Sequence, residues 1–340
     1  MKAVVYDAPR RYAVQDVPVP AVGPGEVRIR VHQVGVCGTD LHIHNGDFNA
    51  VFPLIPGHEL VGSIDALGDG VTRFTVGEQV TVNPNIYCGK CEYCLAGRLI
   101  LCTNMLGLGS NFPGFFAEYV TVREDLVFSV EGIDPDVAVF AEPAACAMHG
   151  LESLQLRPGS TALVFGAGPT GLLLAQLLKT GGAASVTVAA PTQFKLDTAE
   201  ALGIDRTVLI DRDDMAGNLA TLLEASGANG YDYVVEATGS TSIGGICVPL
   251  TRNGGTVLVY GVTRAEETIS FSPFDVFRRE ISIKGSFAEI TSFAAAIRAL
   301  RSGRARTEGM ITHRFSLDDY DKALDAVARD RSAHKVVIAP

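Results

Sequence analysis

Five of the seven cysteines in this 340-residue chain stand where thiolates can hold a metal ion. Cys88, Cys91, Cys94 and Cys102 fall within fifteen residues, spaced Cys-x2-Cys-x2-Cys-x7-Cys. Four thiolates on one short loop close tetrahedrally around zinc and leave no open position, so such a site shapes a loop and does no chemistry. Redox-active pairs are the other chemistry this spacing allows, but they normally open a helix in a thioredoxin-like unit, and the segment shows none. Cys146 and Cys247 sit in apolar surroundings and read as small buried hydrophobes.

A second set of donors is spread along the chain: Cys37-Gly-Thr39-Asp-Leu-His42, then Gly57-His58-Glu59, then Glu142-Pro143. A catalytic zinc needs about three protein ligands and one exchangeable position. Cys37 and His58 offer a thiolate and an imidazole, and Glu59 or Glu142 offers a carboxylate. By spacing alone, Glu59 serves equally as a group supporting a ligand, and Glu142 as an ordinary acid at a helix start. His32, His44, His149, His313 and His334 show no comparable arrangement and take no role.

A third stretch points to a nucleotide. Gly166-Ala-Gly168-Pro169-Thr170-Gly171 fits G-x-G-x-x-G between an apolar strand (161–165) and a leucine-rich helix. Gly166 permits the tight turn, Gly168 lets backbone approach a pyrophosphate, and Gly171 lets the helix sit close on the sheet. Free N–H groups and the positive helix end then face the phosphates.

These groups need two kinds of scaffold. Residues 1 to about 148 read as strands and turns; Val27, Ile29 and Val31 alternate with Arg28, Arg30 and His32 at the period of a half-buried strand. From about 149, strands alternate with helices: 161–165, 185–189, 206–210, 231–236, 256–260 and 281–284. That alternation predicts a doubly wound parallel sheet. After Gly285 the pattern predicts a helix from Phe293 to Arg301, a strand near Ile311, a helix from Leu317 to Ala328 and a last strand from Lys335 to Ile338. A net charge of −10 argues against a nucleic-acid partner. The start, MKAVVYDAPRRY, lacks a signal-peptide core, and the longest apolar run, Ala162–Leu178, is interrupted and slightly short for a span. A cytoplasmic protein with no membrane partner is expected.

In these motifs, with Glu236-Ala-Thr238-Gly239 and Ile283-Lys-Gly-Ser286, the chain resembles the zinc-dependent medium-chain dehydrogenase/reductase superfamily, nearest to its polyol (sorbitol-like) dehydrogenases. The resemblance spans essentially the whole length. It implies an α/β protein: a doubly wound parallel Rossmann sheet at 149–285, inserted into a β-rich GroES-like catalytic domain of 1–148 and 286–340. The lobe 84–104 would hold the structural zinc, and an active site would lie in the cleft. It further implies a second, catalytic zinc on Cys37, His58 and Glu59, with Glu142 as alternate ligand or partner of the water.

The expected function is hydride transfer between a secondary alcohol, a polyol first, and a nicotinamide; threonine or simple secondary-alcohol oxidation is the alternative. A catalytically silent binding or structural relative would have lost ligands or relay residues, and none is missing. Zinc lowers the pKa of an alcohol bound to it. Thr39, two residues after the cysteine, can take the proton, and His42 can pass it to solvent. Cofactor contacts are expected from Gly166, Gly168, Pro169, Thr170, Gly171, Thr238 and Gly239. Ala190 stands where NAD enzymes carry a ribose-binding acid, while Thr192, Gln193 and Lys195 offer donors. That favours NADP over NAD, although no arginine is there to clamp the 2′-phosphate.

The sorbitol enzymes have an arginine where Ala288 follows Phe287, which counts against sorbitol itself. Phe48, Phe112 and Phe115 are candidate pocket walls. The family's habit and an exposed sixth strand (281–284) favour a homodimer or homotetramer.

Overall fold

A computed structural model describes residues 1–340. The chain divides into two units. The first comprises Met1–Ala145, Glu289–Arg301 and Gly309–Pro340, and the second Cys146–Ala288 with Ser302–Glu308. The short turn 302–308 joins the second unit because Gln176 brackets Arg306, donating to its carbonyl at 3.0 Å and accepting its N–H at 2.8 Å.

The first unit is built on a seven-stranded sheet. In order across it run Ile311–Ser316, Lys335–Ala339, Glu26–Val36, Glu59–Leu67, Gln79–Val82 and Val127–Ser129, with Tyr119–Arg123 also paired to Glu26–Val36. The alternation read from Val27, Ile29 and Val31 holds: all three are buried among Leu60, Ile64, Val80 and Phe116. Two registers matter for the site. Gly35 faces Glu59 on antiparallel strands, and Val36 faces Val336 on the other side. The end of one strand, the start of the next and the last strand therefore meet at one end of the sheet.

The second unit is a six-stranded, all-parallel sheet in the order Arg206–Leu209, Ser185–Ala190, Thr161–Phe165, Tyr231–Glu236, Thr251–Val259, Ser282–Gly285. The chain steps outward from Thr161–Phe165 to Arg206–Leu209 and then returns to the other side of Thr161–Phe165 at Tyr231–Glu236, the doubly wound pattern expected. The fifth strand begins at Thr251, five residues before the expected 256, and carries a register irregularity near its start. The Phe293–Arg301 helix forms as read. The expected 317–328 helix opens as a tight Leu317–Asp319 turn before the regular Tyr320–Arg329 helix. No helix is long and apolar enough to cross a membrane.

Candidate active site

Strand register assembles the first candidate metal pocket. Cys37 directly follows Glu26–Val36, and His58 directly precedes Glu59–Leu67, so the Gly35–Glu59 pairing brings them together. The donor atoms of Cys37, His58 and Glu59 all lie within 4.8 Å of one another. Gly35 is needed for this: a Cβ there would stand 1.8 Å from Glu59 Oε2.

Cys37 also opens the helix Gly38–Asn45, and its N–H donates to Asp40 Oδ2 at 2.9 Å. One turn of that helix delivers the expected relay groups. Thr39 Oγ1 lies 3.8 Å from Cys37 Sγ. His42, a quarter exposed at its side chain, pairs through Nδ1 with Asp47 at 3.0 Å. The hydroxyl thus stands beside the Cys37 sulfur and the imidazole at the solvent edge.

Glu142 sits in the first turn of the Ala141–Leu154 helix. It lies outside the 4.8 Å donor set, yet its charge reaches His58, Lys335 and Glu289. Burial disfavours a charged His58, but Asp40, then Cys37 and Glu142, raise its pKa well above the ordinary histidine value. A pocket whose anions draw positive charge onto a buried imidazole suits a divalent cation.

Two residues of this pocket, Lys335 and Asp40, and a third buried acid within reach of Glu142's charge, Glu289, were not picked out from the sequence. Lys335, buried at the start of the last strand, donates to Glu59 Oε1 at 2.7 Å and Oε2 at 2.5 Å. Burial alone would lower its pKa, but Glu59, with Cys37 and Glu142, holds it above the usual lysine value. Asp40 is 1% exposed, and its Oδ1 lies 3.8 Å from His58 Nδ1. Glu289, fully buried, accepts from Asn85 at 3.2 Å and Asn83 at 3.3 Å; burial, then Glu142, push its pKa well up. A charged residue opening an apolar strand was the available signal for Lys335. Phe115, read as a pocket wall, is fully buried in the core, its N–H bonded to the Pro56 and Gly57 carbonyls, whereas Phe112 is exposed.

The second candidate metal site is local. The sulfurs of Cys88, Cys91, Cys94 and Cys102 lie within 4.8 Å of one another, and Cys88 and Cys94 are 4.0 Å apart. Cys102 Sγ accepts the N–H groups of Cys88 at 3.3 Å and Asn104 at 3.4 Å. Backbone N–H groups of Cys94 and Thr103 bring the Cys91 pKa down to about 6, and those of Lys90 and Cys91 lower Cys88. Burial pushes Cys94 the other way, up to about 12; four sulfurs gathered this closely fit zinc, which would hold each as a thiolate. Of the two remaining cysteines, Cys247 is buried and Cys146 only partly so.

The nucleotide motif folds in the second unit as strand, turn and helix. Gly166 takes a φ of +108°, and a Cβ on Gly171 would meet the Gly166 carbonyl at 2.2 Å. Gly168 caps the Pro169–Thr180 helix with no side-chain bond, and a Cβ there would meet nothing within 4 Å. Open space before the unpaired N–H groups of a helix start fits a pyrophosphate. Pro169 and Thr170 form the first turn.

The next parallel strand ends at buried Ala190, followed by Thr192 capping the Gln193–Ala201 helix. Lys195 lies in that helix's first turn, and Gln193 donates to Asp197 at 2.7 Å. The loop after the fourth strand is tied by buried Glu236, which accepts from Thr238 N–H at 2.7 Å and Gly239 N–H at 3.2 Å.

Comparison with known proteins agrees with both halves. The family model for the alcohol dehydrogenase GroES-like domain matches residues 23–132, and that for zinc-binding dehydrogenases matches 169–302. The chain is 42% identical to D-arabinitol dehydrogenase 1 of Uromyces fabae, over 100% of this chain and 97% of that protein. It is 36% identical to an L-threonine 3-dehydrogenase of Rhizobium etli (strain CIAT 652), over 96% and 94%. A solved structure described as a zinc-binding dehydrogenase of Sinorhizobium meliloti 1021, bound to NADP, superposes with a TM-score of 0.93 at 32% identity, covering 100% of this chain and 99% of the other. Matched by both family models and, along its whole length, by a relative 42% identical to it, the chain belongs to the zinc-dependent medium-chain dehydrogenase/reductase superfamily.

Proposed function

We propose that this protein is a polyol dehydrogenase, moving a hydride between a secondary alcohol group of a sugar alcohol and NADP(H), with NAD(H) the alternative cofactor. The observation that carries the reading is one pocket holding Cys37 and His58, with Thr39 Oγ1 3.8 Å from the cysteine sulfur and His42 at its solvent edge. When bound there, zinc supplies a Lewis acid that acidifies the alcohol, and the nicotinamide supplies the hydride acceptor. Cys37 and His58 would hold the metal with one carboxylate. The ion pair to Lys335 occupies both Glu59 oxygens, which favours Glu142 as the third ligand in the resting site. Thr39 Oγ1 takes the alcohol proton, and His42 carries it to solvent.

The greater identity to the arabinitol enzyme favours a polyol over threonine. Ala288 in place of the sorbitol enzymes' arginine favours a polyol other than sorbitol. The deciding experiment is a panel of polyols, threonine and simple secondary alcohols, run with NAD and NADP separately. Threonine oxidised faster than every polyol would overturn the substrate assignment.

Cofactor choice has its own test. In Ala190→Asp, a carboxylate at the end of the second sheet strand would hydrogen-bond a ribose hydroxyl and repel a 2′-phosphate. The variant should lose roughly tenfold or more in kcat/KM with NADP, about 1.4 kcal/mol, and gain relative preference for NAD. A wild type that already prefers NAD strongly would refute the NADP reading.

Lys335→Met separates ligand from supporting carboxylate. Methionine fills the lysine's space but leaves Glu59 buried without a counter-ion, so stability should fall by about 3–5 kcal/mol in denaturant titrations. Glu59→Leu added to it should restore most of that loss. If the double variant also keeps its catalytic metal, Glu142 is the ligand; loss of that metal would assign Glu59.

A homodimer is the proposed assembly. The sheet ends at the unpaired edge strand Ser282–Gly285, beside exposed Phe274 and Phe277 of the Pro273–Arg279 helix and exposed Phe287. Pairing two copies along that edge would cover both the strand and the phenylalanines. Sedimentation as a monomer at micromolar concentration would exclude it.

A further inference from the structure

The helix that carries Thr39 and His42 ends in a turn to which nothing above gives a task. Gly46, after Asn45, lies in the left-handed region at a φ of +83°, and a Cβ there would meet the Pro9 ring at 2.7 Å. Glycine alone meets both demands. The turn folds the chain back on the helix, so that the His42 carbonyl accepts the N–H groups of Gly46 at 2.9 Å and Asp47 at 3.1 Å. Asp47 is thereby returned to the residue five places before it, and its Oδ1 stands 3.0 Å from His42 Nδ1. Backbone and side chain of Asp47 both bind His42.

The hydrogen of the side-chain bond has one place to be. An ionised carboxylate has lone pairs and no hydrogen, so His42 donates through Nδ1–H. In the neutral ring the free lone pair is then on Nε2. A histidine side chain alone in water prefers the opposite tautomer, with its hydrogen on Nε2. Thr39 and His42 are three apart on one helix and share a face. The ring nitrogen that receives a proton from this relay must offer a lone pair, and Nδ1 is engaged with Asp47, which leaves Nε2. On taking the proton the ring becomes an imidazolium whose charge is steadied by the neighbouring carboxylate. Nε2 then gives the same proton to water and the ring is restored; Asp47 takes none.

We propose that Asp47 is a positioning residue for the proton relay: set in place by the Gly46 turn, it fixes His42 as the Nδ1–H tautomer and makes Nε2 the atom that receives the proton and returns it to solvent. The inference rests on the Thr39–His42 relay reading given above.

The test uses two readouts on Asp47→Ala, His42→Gln and the double variant, with Arg10→Ala as control. Arg10 also ties the end of this helix, but through Asn45 Oδ1, to which it donates at 3.0 Å. The first readout is NMR of protein with isotopically labelled histidine rings, at a pH where the ring is neutral; the His42 signals are those missing from His42→Gln. Wild type and Arg10→Ala should carry the hydrogen on Nδ1, and Asp47→Ala should move it to Nε2. The second is turnover. It should fall about tenfold in Asp47→Ala, stay at the wild-type rate in Arg10→Ala, and be no lower in the double variant than in His42→Gln alone. A hydrogen still on Nδ1 in Asp47→Ala would overturn the proposal. So would a further tenfold loss when Asp47→Ala is added to His42→Gln, because a residue acting through the ring has nothing to add once the ring is gone. An equal loss in Arg10→Ala would also overturn it, since loosening of the helix end would then suffice. Wild-type turnover in His42→Gln would sink the relay reading and this inference with it; a slowed His42→Gln beside an unmoved hydrogen in Asp47→Ala would sink the inference alone.

Discussion

Thr39→Val is expected to bring turnover close to zero while leaving cofactor binding intact. Valine keeps the shape of threonine at a position 3.8 Å from the Cys37 sulfur and removes the hydroxyl proposed to take the alcohol proton. The loss should fall within the roughly 10²–10⁴-fold range of general acid–base effects, towards its upper end. His42→Gln should cost less, near the lower end, because His42 is partly exposed and water can replace a terminal relay. Steady-state rates across pH distinguish the two steps. Small amine buffers should restore His42→Gln more than Thr39→Val, since only the former leaves the first proton transfer in place. Wild-type rates in Thr39→Val would pass that step to another group, with Glu142 the first candidate.

The second large effect is expected from metal removal. Freshly purified protein should hold two zinc ions per chain by elemental analysis, and a chelator should remove them in sequence. The first to leave should be the ion on Cys37 and His58, whose coordination has an open position, and activity should fall to background with it while the fold persists. The four-cysteine ion should resist until the lobe itself opens, because its closed shell offers the chelator no vacant site. Elemental analysis giving one zinc or none would remove the two-site reading. Loss of the four-cysteine zinc before any loss of activity would reverse the assigned order.

Legibility in the sequence followed the range of the interaction. The cysteine run and the glycine turn were readable because fifteen and six consecutive residues respectively contain the whole device. The parallel sheet was readable because its central strands, such as Thr161–Phe165 and Ser185–Ala190, are apolar runs bounded by turns. Lys335 was not, because its partner Glu59 is 276 positions away and only the pairing of Val36 with Val336 brings them together. Asp40 lay in plain view one turn after Cys37, but that its second oxygen faces His58 depends on a neighbouring strand. Phe115 illustrates the opposite error. An aromatic beside a glycine-rich loop reads as a pocket wall, yet its backbone is tied to Pro56 and Gly57 and its ring lies in the core. Hydrophobicity says that a side chain will be covered, not whether protein or ligand covers it.

The tie between Glu59 and Lys335 also sets a timetable for biosynthesis. At about 5–20 residues per second, the ribosome needs roughly 15–55 s after making Glu59 to supply the lysine that neutralises it. Until the last strand pairs with Glu26–Val36, the nascent chain carries Cys37, His58 and an unpaired Glu59 on an unfinished sheet edge. Early metal capture there would use a carboxylate that the finished protein assigns to lysine. Completion of the pocket therefore waits for the Lys335–Ala339 strand, whereas the four cysteines are all available as soon as Cys102 has emerged.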